Sequence, residues 1–256
     1  MSKKGKEIAR KIIFVVALIL FIGSSTKLFL IWNEYHKNAK SYEKVQEYGP
    51  KEVVQETSSE EKDNRYKYVL SEDDYNNLMS INGDFKAWIT VPNTSVNYPV
   101  VQATDNSYYL HHNFYKEDND GGAIFIACEN ENPFEDQNTV IHGHHMRDGS
   151  MFASLNKFKE SEFFNNNKYI YISTKDEVYE YEIFSMYVEK ASVNPYEISF
   201  ASDEDYLNYL QTLKNKSIYS TDINEFTSDD KIITLSTCTY EVTDGRLLIH
   251  AKLVKG

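Results

Sequence analysis

Cysteine is scarce: the 256-residue chain has two, Cys128 and Cys238. That excludes a disulfide-dense scaffold and a four-cysteine zinc site, and leaves either one bridge or at least one free thiol. Positive charge is also short, with 27 basic against 39 acidic residues and a net charge of −12. Such a balance argues against non-specific nucleic-acid binding, which relies on Lys and Arg neutralising phosphates. Internal repeats and low-complexity tracts are absent. Aromatic residues are plentiful, with 20 Tyr and 14 Phe, and 41% of the chain is hydrophobic. This composition weighs against a disordered chain and suffices for one well-packed domain, with or without an appendage.

The charge is unevenly spread. Residues 1–11 hold Lys3, Lys4, Lys6, Arg10 and Lys11 against Glu7, a net of +4 that leaves −16 on the rest. An apolar run, Ile12–Ile22, follows, then small residues, Lys27 and a second run, Leu28–Trp32. The stretch 12–32 has the length needed to cross ~30 Å of hydrocarbon. Basic sequence before it and acid-rich sequence after it predict an N-in, C-out anchor. Lys27 can snorkel towards the outer interface near Trp32. A cleaved secretory signal is the competing reading, but no A-x-A site follows the apolar core. A buried helix fits poorly with five flanking cations. Residues 33–65 are charged and mostly without apolar periodicity, and read as a stalk or lead-in helix.

From residue 66 to 256 the chain consists of short apolar runs broken by turn residues. Strands are predicted over 87–91, 96–102, 123–127, 139–142, 169–173, 178–185, 231–237 and 246–254. Seven to eight such strands give a mainly β fold, a closed or nearly closed barrel. Residues 202–215 break the rhythm: a Ser cap, acids in the first turn and apolar positions 206, 207, 210 and 213 predict a helix inserted before the cysteine strand.

Cys238 ends one of the last two strands and Arg246 opens the other. So short a connection requires an antiparallel pair, with the thiol facing the guanidinium. A nearby guanidinium favours a thiolate or holds the oxyanion formed when the thiolate attacks a carbonyl. Taken singly, Cys238 reads as a small buried hydrophobe and Arg246 as a surface charge; their pairing points to chemistry. A nucleophilic cysteine also needs a proton donor for the leaving group. Three of the seven histidines crowd together as His142, His144 and His145, and spacing alone does not rank them. His250 lies on the Arg246 side and is a minor candidate, whereas His36, His111 and His112 read as ordinary polar positions. His142 and His144 with a cysteine also fit a zinc site, although H-x-H spacing is weakly specific.

The T-L-S-T-C run over Thr234–Cys238, followed by Arg246, resembles the signature of sortases. The segment from Asn138 to His144, with Met151 and Phe152 behind it, is similar to their N-x-x-x-x-G-H segment. The stretches 82–89, 98–102, 105–110 and 122–125 resemble class B sortases in the same order, so the likeness spans residues 66–256. It implies a sortase barrel with N-terminal helices, in which Cys238 is the nucleophile, His144 the general acid/base, and Arg246 the group that orients substrate and stabilises the oxyanion. It further implies that Asn106, Leu110 and Ser236 line a peptide groove. The implied reaction is cleavage after the Thr of a C-terminal sorting signal through a thioacyl enzyme. A cell-wall peptidoglycan amine then takes the acyl group. The implied partners are surface proteins bearing the signal, that amine and the cytoplasmic membrane, with no metal or organic cofactor.

Two departures from the pattern are the flanking His142 and His145, and Cys128 where relatives often carry an Asp. Two other readings stand beside the transpeptidase: a cysteine peptidase releasing proteins to water, and a non-enzymatic zinc-binding surface module. The acid-rich runs 129–135 and 222–230 read as solvated loops more readily than as calcium ligands. A Cys128–Cys238 bridge would silence the nucleophile, so Cys128 is expected to be free. Alkylation followed by intact-mass analysis should find two adducts per chain.

Overall fold

The computed structural model describes residues 3–51, 64–193, 196–239 and 241–256. In chain order the helices are α1 (Lys3–Gln46), α2 (Glu72–Ile81), α3 (Tyr108–His111), α4 (Ser161–Asn166) and α5 (Asp203–Lys216). The strands are β1 (Phe85–Thr90), β2 (Asn97–Val101), β3 (Ile124–Ile126), β4 (Asn138–His142), β5 (Tyr169–Ser173), β6 (Val178–Lys190), β7 (Ile232–Thr239) and β8 (Gly245–Lys255). Short 3-10 helices cover Asn64–Tyr68, Ala153–Lys159 and Ala191–Val193.

All eight expected strands are present and close into a barrel in the order β1-β2-β3-β4-β7-β8-β6-β5. The pairs β2–β3 and β4–β7 are parallel and the rest antiparallel. β6 runs five residues beyond its expected end at Ser185, because Met186–Lys190 continue to pair with Ile249–Gly245 of β8.

Alternation along the strands sorts side chains between two cores. Ile233 and Leu235 of β7 and Leu247, Ile249 and Ala251 of β8 join the main core with Trp88, Ile89, Val100, Ile124 and Ile141. On the outer face Ile232, Leu248, Phe184 and Tyr187 meet Tyr206, Leu210 and Leu213 of α5. The inserted helix is where the apolar spacing predicts it, started by Ser202, whose hydroxyl accepts from the Asp205 amide at 3.2 Å. Such a cap is worth ~1 kcal/mol. α2 begins in the same way, with Ser71 accepting from Asp74 at 3.1 Å.

A chain of buried polar groups runs between the two cores. His250 donates through Nδ1 to the Thr234 hydroxyl (2.9 Å), which donates to Asn138 Oδ1 (2.9 Å). The Asn138 amide donates to the Glu197 carbonyl at 2.6 Å. One side chain each from β8, β7 and β4 is thereby tied to the segment before α5.

α1 is a continuous helix that includes the apolar stretch 12–32, whose large side chains from Ile12 to Trp32 are exposed. Thr26 returns its hydroxyl to the Ile22 carbonyl (2.9 Å), so its polar group is satisfied within the helix. Of the two forms anticipated for 33–65, residues through Gln46 take the helical one. The last turns of α1 are core rather than stalk: Val45 is fully buried, and Tyr42 donates to the Gly122 carbonyl at 2.7 Å and packs edge-on against Tyr98. Residues 52–63 lie outside the described residues.

Burial pushes His250 down to about 3, whereas an unfolded His titrates near 6.5. A histidine kept neutral in the fold stabilises it above pH ~6.5, and that stability is lost as pH falls towards the folded value. Between pH 7 and pH 5 His250 should therefore cost about 2 kcal/mol of unfolding free energy. His250→Asn keeps a donor near the Nδ1 position without titrating. Denaturant melts at both pH values should show that much less acid sensitivity in the variant.

Candidate active site

The ladder brings three chain segments to one rim of the barrel. β4 and β7 are parallel, with His142 opposite Ser236, and β8 is antiparallel to β7, with Cys238 opposite Arg246. The turn after β4, the end of β7 and the start of β8 therefore meet. Cys238 is exposed there, and Arg246 is half-buried. The guanidinium rests on its own hairpin, donating to the Gly245 carbonyl (3.2 Å) and lying 3.5 Å from the Asp244 carboxylate.

The turn that follows β4 begins at Gly143, whose amide donates to the Ser236 carbonyl at 3.1 Å. A Cβ at this position would lie 2.5 Å from Ile124 Cδ1 and 2.7 Å from the Phe152 ring. Glycine before His144 is thus a packing requirement.

Each histidine of the cluster has a different environment. His144 uses Nε2 to donate to the Leu110 carbonyl at 2.8 Å. A carbonyl only accepts, so Nε2 carries the proton and Nδ1 is left for proton exchange. The next-door Gly122, at φ +57°, has no Cβ to press on His144 Cδ2 or on the Tyr109 carbonyl. His145 instead places Nδ1 2.7 Å from the carbonyl oxygen of Cys238, and Asn156 donates to its Nε2 at 3.0 Å. His142 packs between the rings of Phe125 (5.1 Å) and Tyr196 (5.4 Å). Burial drives His142 down to about 4, opposed by the Glu129 carboxylate and aided by the Arg246 guanidinium, so it is neutral at physiological pH. His250, a minor candidate from its strand face, is removed from the rim: it is fully buried beneath α5 and held by Thr234.

The segment 105–110 serves the site through its backbone as much as its side chains. Asp105 Oδ1 accepts from the Ser107 amide (2.7 Å), the Ser107 hydroxyl (2.6 Å) and the Tyr108 amide (2.8 Å), which starts α3. α3 then presents the Leu110 carbonyl to His144. Asn106 accepts from the Cys128 amide (2.8 Å) and donates to both carboxylate oxygens of Glu129 (3.0 and 2.8 Å). That bond, first among several causes, holds the Glu129 carboxyl below its usual range. Ser236 is buried, two residues before Cys238 on the same face of β7.

Cys128 and Cys238 are both free thiols. Burial, then Glu129, pushes the Cys128 thiol up and away from the reactive thiolate. Among the described residues no group of three or more His, Cys, Asp and Glu side chains is arranged to hold a metal ion, so the H-x-H pair has no third ligand there. Glu129, Tyr196 and Asn156 belong to the site's surroundings although no motif marked them. Only Glu129 stood out beforehand, as part of an acidic run.

Residues 89–254 match the family model described as the sortase domain. Sortase B of Listeria monocytogenes is 39% identical over 184 residues, which cover 71% of this chain and 74% of that protein. The crystal structure of Clostridium perfringens sortase B superposes with a TM-score of 0.68 at 41% identity, covering 70% of this chain and 99% of its own. The Staphylococcus aureus sortase B–substrate complex superposes with a TM-score of 0.73 at 32% identity, covering 87% and 98%. With its eight-stranded barrel, the inserted α5 and a thiol facing a guanidinium across the last hairpin, the chain belongs to the sortase family as a class B member, a cysteine transpeptidase that anchors proteins to the cell wall.

Proposed function

We propose that Cys238 is the nucleophile, His144 the general acid/base, and Arg246 the residue that orients the substrate and stabilises its oxyanion. The observation that carries this reading is the register: Cys238 pairs with Arg246, and the Gly143–His144 turn abuts the same stretch of β7. The Cys238 thiol passes its proton to His144 Nδ1, and the thiolate attacks the carbonyl carbon of a Thr in a C-terminal sorting signal while the guanidinium offsets the developing negative charge. As the C–N bond breaks, His144 gives a proton from Nδ1 to the departing amine, leaving a thioester. A peptidoglycan amine then attacks the thioester and loses its proton to His144, and the thiolate departs. One amide bond is exchanged for another, so the balance requires no oxidant, metal or organic cofactor.

Leu110 and Ser236, adjoining His144 and Cys238, support a peptide groove along this rim, with Asn106 at its Glu129 end. The charge asymmetry supports a cytoplasmic tail over 1–11, a single membrane span over 12–32, the lead-in over 33–65, and a catalytic domain over 66–256 facing the cell wall. Surface proteins carrying the signal and a cell-wall amine are the corresponding partners.

A labelled peptide chosen from a library by wild-type cleavage provides the assay. Cys238→Ala should abolish both cleavage and ligation to an added amine; undiminished turnover would remove Cys238 from the role. Arg246→Lys keeps the charge but loses the planar fork, and kcat/KM should fall by roughly 10²–10³ at unchanged thermal stability. Because His142 stays neutral, His142→Gln should leave the pH–rate profile in place, while His144→Gln should eliminate the rate. A profile displaced by His142→Gln would transfer the acid/base role to that imidazole.

A further inference from the structure

The end of the β4–β7 ladder leaves a carbonyl to be accounted for. Along a strand, carbonyls two residues apart point to the same edge. On the β7 edge that faces β4, the Ser236 carbonyl accepts the final backbone rung, from Gly143. The next acceptor on that edge is the carbonyl of Cys238, but β4 has already turned away into His144 and His145. The hydrogen bond that a further strand residue would make is made by a side chain: His145 Nδ1, 2.7 Å from the Cys238 oxygen.

This bond fixes the tautomer. The carbonyl can only accept, so Nδ1 carries hydrogen, and in the neutral ring Nε2 is then an acceptor. Asn156, on the 3-10 helix Ala153–Lys159, supplies the donor at 3.0 Å. The turn is tightened behind the ring by the Phe152 amide, which donates to the His144 carbonyl at 3.0 Å, and by the bridge between His145 and Met151. Two consecutive residues thus divide the work. His144 turns to Leu110 and leaves Nδ1 open, while His145 grips the peptide that bears the thiol.

We propose that His145 is a positioning residue for the transpeptidation: its Nδ1–H, oriented by Asn156, locks the Cys238 peptide plane to the turn that carries His144. The inference rests on the reading of Cys238 as nucleophile and goes beyond it. Cys238 is paired with β8 on one edge, but on the β4 edge it lies beyond the last backbone rung, so without His145 nothing in the ladder would fix the thiol relative to the acid/base on the neighbouring turn. Misplacement by about 1 Å can cost roughly 10²-fold in rate.

The test uses the full-length protein in detergent, the library-selected peptide, and the variants His145→Ala, His145→Asn, His145→Gln and Asn156→Ala, with Cys238→Ala as control. Asn places an amide donor near the Nδ1 position, whereas Gln places it near Nε2. His145→Ala should lower kcat by about 10- to 100-fold with KM within about twofold of wild type. His145→Asn should recover kcat to within about threefold, and Asn156→Ala should lose an intermediate amount. Wild-type kcat in His145→Ala would overturn the proposal. So would loss in His145→Asn as complete as in Cys238→Ala, which would make His145 a proton carrier. Should His145→Ala fail to fold, the Asn and Gln variants decide: equal kcat in the two overturns the proposal, and Asn exceeding Gln by about tenfold upholds it. Turnover by Cys238→Ala would instead refute the nucleophile assignment, an outcome separate from these.

Discussion

The parallel ladder between β4 and β7 governs where the chemistry can lie. Parallel strands finish at the same end of a sheet, so the residues that follow β4 and those that end β7 must meet at one rim. The antiparallel return of β8 then delivers Arg246 to that rim at a register set by eight consecutive pairs with β7. Slippage by one residue would send Cys238 to the barrel interior and take Ile233 and Leu235 out of the main core. The burial that stabilises the barrel and the geometry that serves the thiol are thus enforced by the same pairing.

Three neighbouring imidazoles show how environment, rather than residue type, assigns a role. Aromatic walls keep His142 neutral, a backbone carbonyl turns His144, and a strand end is closed by His145. A fourth, His250, lies deeper and is structural, joined through Thr234 to Asn138 so that the three strands bearing the rim share one buried polar chain. Its Nε2 is buried and has no hydrogen-bond partner among the described residues, which carries a desolvation cost. The network retained at that cost adds a side-chain link across the β4–β7 and β7–β8 ladders.

Much of this was legible from the chain. Short apolar runs between turn residues located every strand, and the Ser202 cap with apolar positions 206, 207, 210 and 213 located α5, because these signals act over a few residues. The facing of Cys238 and Arg246 followed from a short connection between two strands. The division among the histidines was not legible, since it depends on Leu110, Asn156, Phe125 and Tyr196, which lie 11 or more residues away in sequence. Asn106 presents the same difficulty: motif likeness identifies it, but only the fold shows its amide engaged with Cys128 and Glu129. The end of β6 was misjudged because its last five residues depend on β8 rather than on any local pattern.

α1 passes without a break from its apolar stretch to turns buried against the barrel. A flexible connection would let a tethered domain explore a volume that grows with linker length. A helix instead sets height in increments of 1.5 Å per residue, so Asn38, the first buried position after Trp32, stands only about 9 Å further along the axis. In the anchored form proposed above, the catalytic rim would travel at nearly constant elevation over the bilayer. The rim would then sample a thin layer above the bilayer, its height set by the helix and its lateral position by diffusion.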